Sequence, residues 1–153
     1  MLLDSQLCFS DAQALTATAV SDNVVTLVNP RDVGIGTDIY LMIVGSGDFA
    51  SAAGSATLQV AVQYSADNVT YVDAALSPVM TITQLNNTDL SNEPYLFGLC
   101  LPRPKKGTDT TPLYIRLNYT VGTQNFTAGS VQAYLVLGRD DVVYYPRNYS
   151  VTV

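Results

Sequence analysis

Acid–base chemistry in this chain would have to run on carboxylates, because it contains no histidine. That removes the commonest general base and a common metal ligand. Ser-His-Asp and Cys-His nucleophile arrangements are therefore impossible within one chain. A carboxylate pair, as in glycosidases, remains as the acid–base route. The only Glu is Glu93, inside the turn text "SNEP", and Asp22, Asp48 and Asp67 sit directly beside Gly or Asn. Short polar side chains in such places stabilise turns. No catalytic residues are expected, and the chain reads as no enzyme.

The other chemical signals are equally sparse. "GIG" (residues 34–36) and "GSG" (residues 45–47) do not extend to a phosphate-binding loop, and no helix pattern follows either. They read as turn glycines. Asp38 and Asp48 lie in no calcium-loop pattern, so no metal and no cofactor are expected. Cys8 and Cys100 match no metal spacing and make a poor disulfide framework. The apolar text "YLFGLCLP" predicts a buried thiol at Cys100, and a reducing place of folding fits.

Charge excludes another class of partner. The net charge is −6, from seven Lys plus Arg against thirteen Asp plus Glu. Phosphate backbones need clustered cations, so nucleic acid is not an expected partner. The one basic cluster, Arg103, Lys105 and Lys106, stands in the Pro/Gly text "RPKKG" and reads as a solvated turn. No stretch approaches the roughly 20 apolar residues of a membrane helix. The start lacks the basic region of an export signal, its first charge being Asp4. Five sequons, beginning at Asn68, Asn86, Asn118, Asn125 and Asn148, then read as a by-product of Asn- and Thr-rich strand text.

The elements that would position any site are strands. "TLQVAVQYS" alternates with period two, placing Leu58, Val60, Val62 and Tyr64 on one face. "LYIRLNYTV" does the same with Leu113, Ile115, Leu117, Tyr119 and Val121. "SVQAYLVLG" points Val131, Ala133, Leu135 and Leu137 inward, and its other face of Gln132, Tyr134 and Val136 is apolar enough to be covered. Less regular candidates span residues 23–28, 38–45, 79–84 and 95–101, with a short extra strand over 69–74. The unbroken apolar runs at 39–44 and 95–101 predict central strands covered on both sides.

Turn-rich breaks such as "NPRDVGIG", "GSGDF", "NNTD" and "RPKKGTDTTP" separate these runs. About eight short antiparallel strands predict an all-β sandwich of the jelly-roll type. An immunoglobulin-like sandwich is the runner-up, though it would usually show a core Trp and paired Cys, and this chain has no Trp. A chain of 153 residues fits one domain. Residues 23–139 form the expected core, flanked by an N-terminal arm (1–22) and a C-terminal arm (140–153). The first arm divides into an apolar anchor, residues 1–9, and a small-residue tether leading to the first strand.

Only 13% of residues are charged, about half the usual share. Such a surface suits lasting contact with other protein. Leu2, Leu3, Leu7 and Phe9 are apolar residues on a segment too interrupted for a core helix, and read as anchors on a neighbouring subunit. Tyr144, Tyr145 and Tyr149 cluster outside any alternating pattern, as recognition tyrosines do. A tyrosine-rich surface also fits a glycan-binding module, although sugar sites lean on Trp.

Three stretches carry a family likeness: "SDAQALTATAVSDN" (10–23), "ATLQVAVQYSAD" (56–67) and "LYIRLNYTVGTQNFTAGSVQAYLVLGRD" (113–140). With the opening residues Asp4, Gln6, Phe9, Ser10, Asp11, Ala12, Gln13 and Ala14, they resemble the small cement (decoration) proteins of tailed-bacteriophage heads, of the Bordetella-phage-like family. "RLNYTV" and "FTAGSV" belong to the same likeness, whereas residues 69–112 hold no diagnostic phrase. The resemblance implies a structural virion protein with a jelly-roll fold. It implies self-association, as a homodimer rather than a trimer, after synthesis in the bacterial host cytoplasm. It also implies a place on the outer capsid surface, bridging major capsid protein subunits of the HK97-like fold against the strain of packed DNA.

Overall fold

A computed structural model describes residues 5–27, 39–86, 95–101 and 113–137. A 3₁₀ turn over Ser5–Leu7 leads into β1 (Cys8–Ala14), β2 (Ala19–Val20), β3 (Val25–Thr26), β4 (Ile39–Ala50) and β5 (Thr57–Ser65). There follow β6 (Val72–Leu76), β7 (Met80–Thr81), the short helix α1 (Ile82–Asn86), β8 (Tyr95–Cys100), β9 (Tyr114–Gly122) and β10 (Ala128–Leu137). All pairings are antiparallel.

The strands form two sheets, in the orders β1-β10-β4-β8 and β2-β9-β5-β6, with β3 added to β9 and β7 to β5. The pairs β1–β10, β2–β9, β4–β8 and β5–β6 are the rungs of one long hairpin. Rolling that hairpin drops successive rungs alternately onto the two sheets. The result is a jelly roll, so the expected all-β sandwich is the observed fold.

The core fills the space between the sheets. One sheet supplies Phe9, Leu41, Ile43, Val131 and Ala133, and the other Leu58, Val60, Val62, Ile115, Leu117 and Tyr119, all essentially without solvent exposure. Each fully buried side chain of this size contributes roughly 1.5–3 kcal/mol. The alternation read in "TLQVAVQYS", "LYIRLNYTV" and "SVQAYLVLG" matches these inward faces. The far face of β10 is also covered at Val136, as is Met42 on the neighbouring β4.

Several expectations change. "GSG" is not a turn: β4 runs through it, with a register shift against β10 between Gly45 and Gly47. Glycine inside a strand often marks such a bulge or a close approach, and a Cβ on Gly47 would stand 2.8 Å from Ser130 Oγ. "GIG" lies outside the described residues. Residues 79–84 are half strand and half helix. The Gln84 side chain supplies one half of a capping box, its Oε1 accepting from the Thr81 N–H at 2.9 Å and from the Thr81 hydroxyl at 3.3 Å. The run 39–44 is central, as expected, and its far face is buried at Met42 but only half-buried at Tyr40 and Val44. Strand β8 is instead the last strand of its sheet among the described residues. Its Cys100 pairs with Tyr40, away from the half-buried Leu99 that packs on the core, and is exposed rather than buried.

The "tether" is also a pair of strands. β1 lies in one sheet and β2 in the other, so residues 8–20 belong to the sandwich and are not an arm beyond it. The C-terminal arm, residues 140–153, lies outside the described residues.

One corner depends on a single glycine. Phe49 packs edge-on against Phe126, with ring centroids 5.2 Å apart. The Asn86 amide clamps its backbone, accepting from the Phe49 N–H at 2.7 Å and donating to its carbonyl at 2.8 Å. Gly129 passes against this ring at φ 140°, where a Cβ would meet Phe49 Cδ1 at 2.3 Å. Gly129→Ala should therefore destabilise the protein by about 3 kcal/mol through overlap and backbone strain. A urea titration checks this as a lower midpoint at unchanged slope.

Candidate protein interface

Phe9, expected as an anchor on a neighbour, is fully buried in the chain's own core. Leu7 is half-buried and packs on the same cluster. Phe9 is therefore not presented to a partner, which corrects its reading, whereas Leu7 keeps part of its surface exposed. Leu2, Leu3, Tyr144, Tyr145 and Tyr149 lie outside the described residues.

The reason Phe9 is captured is local. Strand β1 shifts register against β10 between Cys8 and Ser10 and again between Ser10 and Gln13. Ala12 stands at φ 52°, in the left-handed region that Ala seldom occupies. These irregularities bury Cys8, Phe9 and Ser10 in succession.

Ser10 then ties the sheets together. Its hydroxyl donates to Gln13 Oε1 at 2.7 Å, leaving its oxygen to accept from the buried Tyr119 hydroxyl at 2.8 Å. Gln13 Nε2 donates to the Val20 carbonyl at 2.7 Å, and the Asp22 N–H donates to Gln13 Oε1 at 3.1 Å. The Asn23 N–H donates to the Phe9 carbonyl at 2.9 Å, which closes the loop. Burial pushes the Tyr119 phenol well above its ordinary range, with the Ser10 contact opposing. This hydroxyl stays protonated and serves as a structural donor.

The described carboxylates build structure in the same way. Asp67 Oδ1 accepts from Ser65 Oγ at 2.9 Å and from the backbone N–H groups of Val69 at 2.9 Å and Thr70 at 2.7 Å. Those amides, Thr70 first, hold its carboxyl down at about 2. On the outer face of the larger sheet, Arg116 lies 3.5 Å over the Tyr71 ring and donates to Gln63 Oε1 at 2.8 Å. Gln63 donates onward to Asp73 at 2.8 Å, and Tyr71 donates to Asn68. This chain of contacts fixes the β5–β6 connection against β9. Among the described residues, no group of three His, Cys, Asp or Glu could hold a metal ion.

The surface feature that stands out is β6 and its flanks. Val69 is 80% exposed, and Val72, Leu76 and Val79 are each 56% exposed. β6 ends the order of its sheet, pairing with β5 alone among the described residues. Solitary exposed apolar residues are ordinary, but several of them on and beside an end strand make this a candidate surface for contact. Sequence reading placed a short strand over 69–74 without assigning it a contact. The available signal was its charge, for residues 69–79 carry only Asp73.

Comparison with known proteins adds one finding. The family model Bbp16 matches residues 9–135. The chain therefore belongs to the Bbp16 family, whose name is consistent with a Bordetella phage protein. No curated protein matches the chain.

The placement of Phe9 and Tyr119 gives a direct check. Phe9→Ala should cost about 3–5 kcal/mol through the cavity it leaves. Tyr119→Phe should cost about 1–3 kcal/mol, because buried Ser10 loses its donor. Both appear in chemical denaturation. A Phe9 that anchored on a neighbour would leave the stability of the isolated protein unchanged.

Proposed function

We infer that this member of the Bbp16 family is a non-enzymatic capsid cement protein. It binds the outer surface of a phage head and bridges major capsid protein subunits of the HK97-like fold. The reading is carried by the likeness to phage cement proteins. The stretches that bear it, residues 10–23, 56–67 and 113–140, fall largely within the family match. A jelly roll with few charges and an exposed apolar edge supports the reading, because such a role needs binding surface rather than chemistry.

The mechanism requires only differential binding. A unit that binds the assembled lattice but not its separated subunits stabilises the lattice by mass action. When one unit, or one self-associated pair, engages two capsid subunits, the second contact is effectively intramolecular. Modest individual contacts then hold neighbouring subunits against outward pressure. A stiff sandwich suits this task, since load passes between contacts through paired strands. In this reading the protein is assembled onto heads in the bacterial host, self-associates as a dimer, and uses neither nucleic acid nor a membrane.

The test uses purified phage heads lacking this protein. Added protein should co-sediment with the heads and raise the temperature at which they rupture, with saturation at a fixed copy number. Absence of both effects would refute the proposal.

A further inference from the structure

Arg116 is the only Lys or Arg among the described residues, against Asp11, Asp22, Asp48, Asp67 and Asp73. It alternates with the buried Ile115 and Leu117, so it stands on the outward face of β9. There it shares a row with Gln63 of β5 and Asp73 of β6. Its guanidinium is held from two sides. The central carbon lies 3.5 Å over the Tyr71 ring, and the Tyr71 hydroxyl is itself tied to Asn68. The Nε–H donates to Gln63 Oε1 at 2.8 Å, and Gln63 donates onward to Asp73 at 2.8 Å. A long side chain is thereby fixed before any ligand arrives, so less rotamer freedom is lost on binding. The Nη groups take no part in this holding. Among the described residues no hydrogen bond or ion pair engages them. The nearby carboxylates are turned elsewhere. Asp73 accepts from Gln63, and Asp67 accepts from Ser65 and from the Val69 and Thr70 amides.

Geometry and charge select the ligand. A guanidinium offers its N–H groups as a planar fork, which matches the two oxygens of a carboxylate. Asp73 shares the row, and Asp67 lies in the loop that carries Tyr71. Both oppose a doubly charged phosphate more than a singly charged carboxylate. The surroundings select where that carboxylate comes from. Tyr114 and Asn118 flank Arg116 on the same face and are half-buried and uncharged. Tyr and Arg set among uncharged side chains have the composition of the anchors in protein–protein contacts. We propose that the outer face of the β2-β9-β5-β6 sheet, centred on Arg116 and Tyr71, docks a protein partner by taking one of its Asp or Glu side chains into the Arg116 fork. That partner is the phage head under the reading above, on which its identity alone rests.

Two measurements on the full chain test it. Nuclear magnetic resonance follows the Arg116 Nε–H signal while N-acetylglutamate α-amide, whose one carboxylate is that of a Glu side chain, is added at constant ionic strength. A saturable shift is expected. It should be absent with chloride and lost in Arg116→Lys, which keeps the charge without the fork. In co-sedimentation with purified heads lacking this protein, Arg116→Lys should weaken binding by roughly 10-fold or more, as loss of a central anchor does. Circular dichroism establishes that the variant is folded. A wild type without a saturable shift, or one shifted equally by phosphate or by glucuronate, would overturn the proposal. So would an Arg116 signal that moves with the protein's own concentration, which assigns the site to a second copy. A folded Arg116→Lys protein that binds heads unchanged overturns it too, and leaves the cement reading standing. A shift confined to the glutamate probe, in a protein that binds no heads, defeats only the cement reading and supports the Arg116 site.

Discussion

A phenol hydroxyl at the centre of an apolar sandwich has to find a partner, since leaving it without one costs about 1–3 kcal/mol. Tyr119 on β9 meets that demand with Ser10, which belongs to β1 of the opposite sheet. The bond therefore crosses the core. It fixes where the N-terminal strand must lie, and through Gln13 it fixes the turn that carries the chain from one sheet into the other. Phe9 is drawn in beside it, and Ser21 Oγ accepts from the Leu117 N–H at 3.1 Å on the way back. The first rung of the rolled hairpin is thus locked to its last strands. The N-terminal text that read as adhesive is, over residues 5–27, part of the machinery that closes the fold.

This explains which parts of the architecture were legible. Strands β5 and β9 pair with each other over nine consecutive residues without a shift, so their side chains keep strict period two and the pattern survives in the text. Strand β1 shifts twice within seven residues and contains a left-handed Ala12, so its inward residues are consecutive and imitate an interrupted apolar run. Strand β4 hid differently. Its glycines look like punctuation, yet they mark a bulge where the backbone nears Ser130. The helix α1 was legible in principle, because Thr81 and Gln84 have capping-box spacing, but the β-branched residues around them outweighed that signal.

The candidate interface was less legible than the fold for a related reason. The candidate surface carries no distinctive residue type, since the polar surface of the described residues is largely uncharged. What separates Val72 and Leu76 from Val60 and Val62 is only the place of their strand in the sheet order. That order depends on pairings between residues far apart in the sequence, as with Ala61, which has Leu76 on one side and Asn118 on the other. Sequence periodicity reports which way a side chain points from its own strand. It does not report whether another strand follows.

An open edge on such a protein is both a hazard and a resource. Soluble sandwiches normally guard their edges because unguarded ones aggregate. The β6 edge is short, bulged at Ala74 and carries Asp73, and what stays exposed on it is tolerable when its occupant is fixed and saturable. Pairing around a two-fold axis has that property, for it consumes both edges and leaves none to propagate. A head-to-tail contact would instead leave a free edge at each end and grow into a filament. A closed pair also doubles the attachment points of each unit, which is where multivalent binding to a repeating shell gains most. Exposure of a short edge strand is therefore tolerable in a sandwich whose edge contacts close rather than propagate.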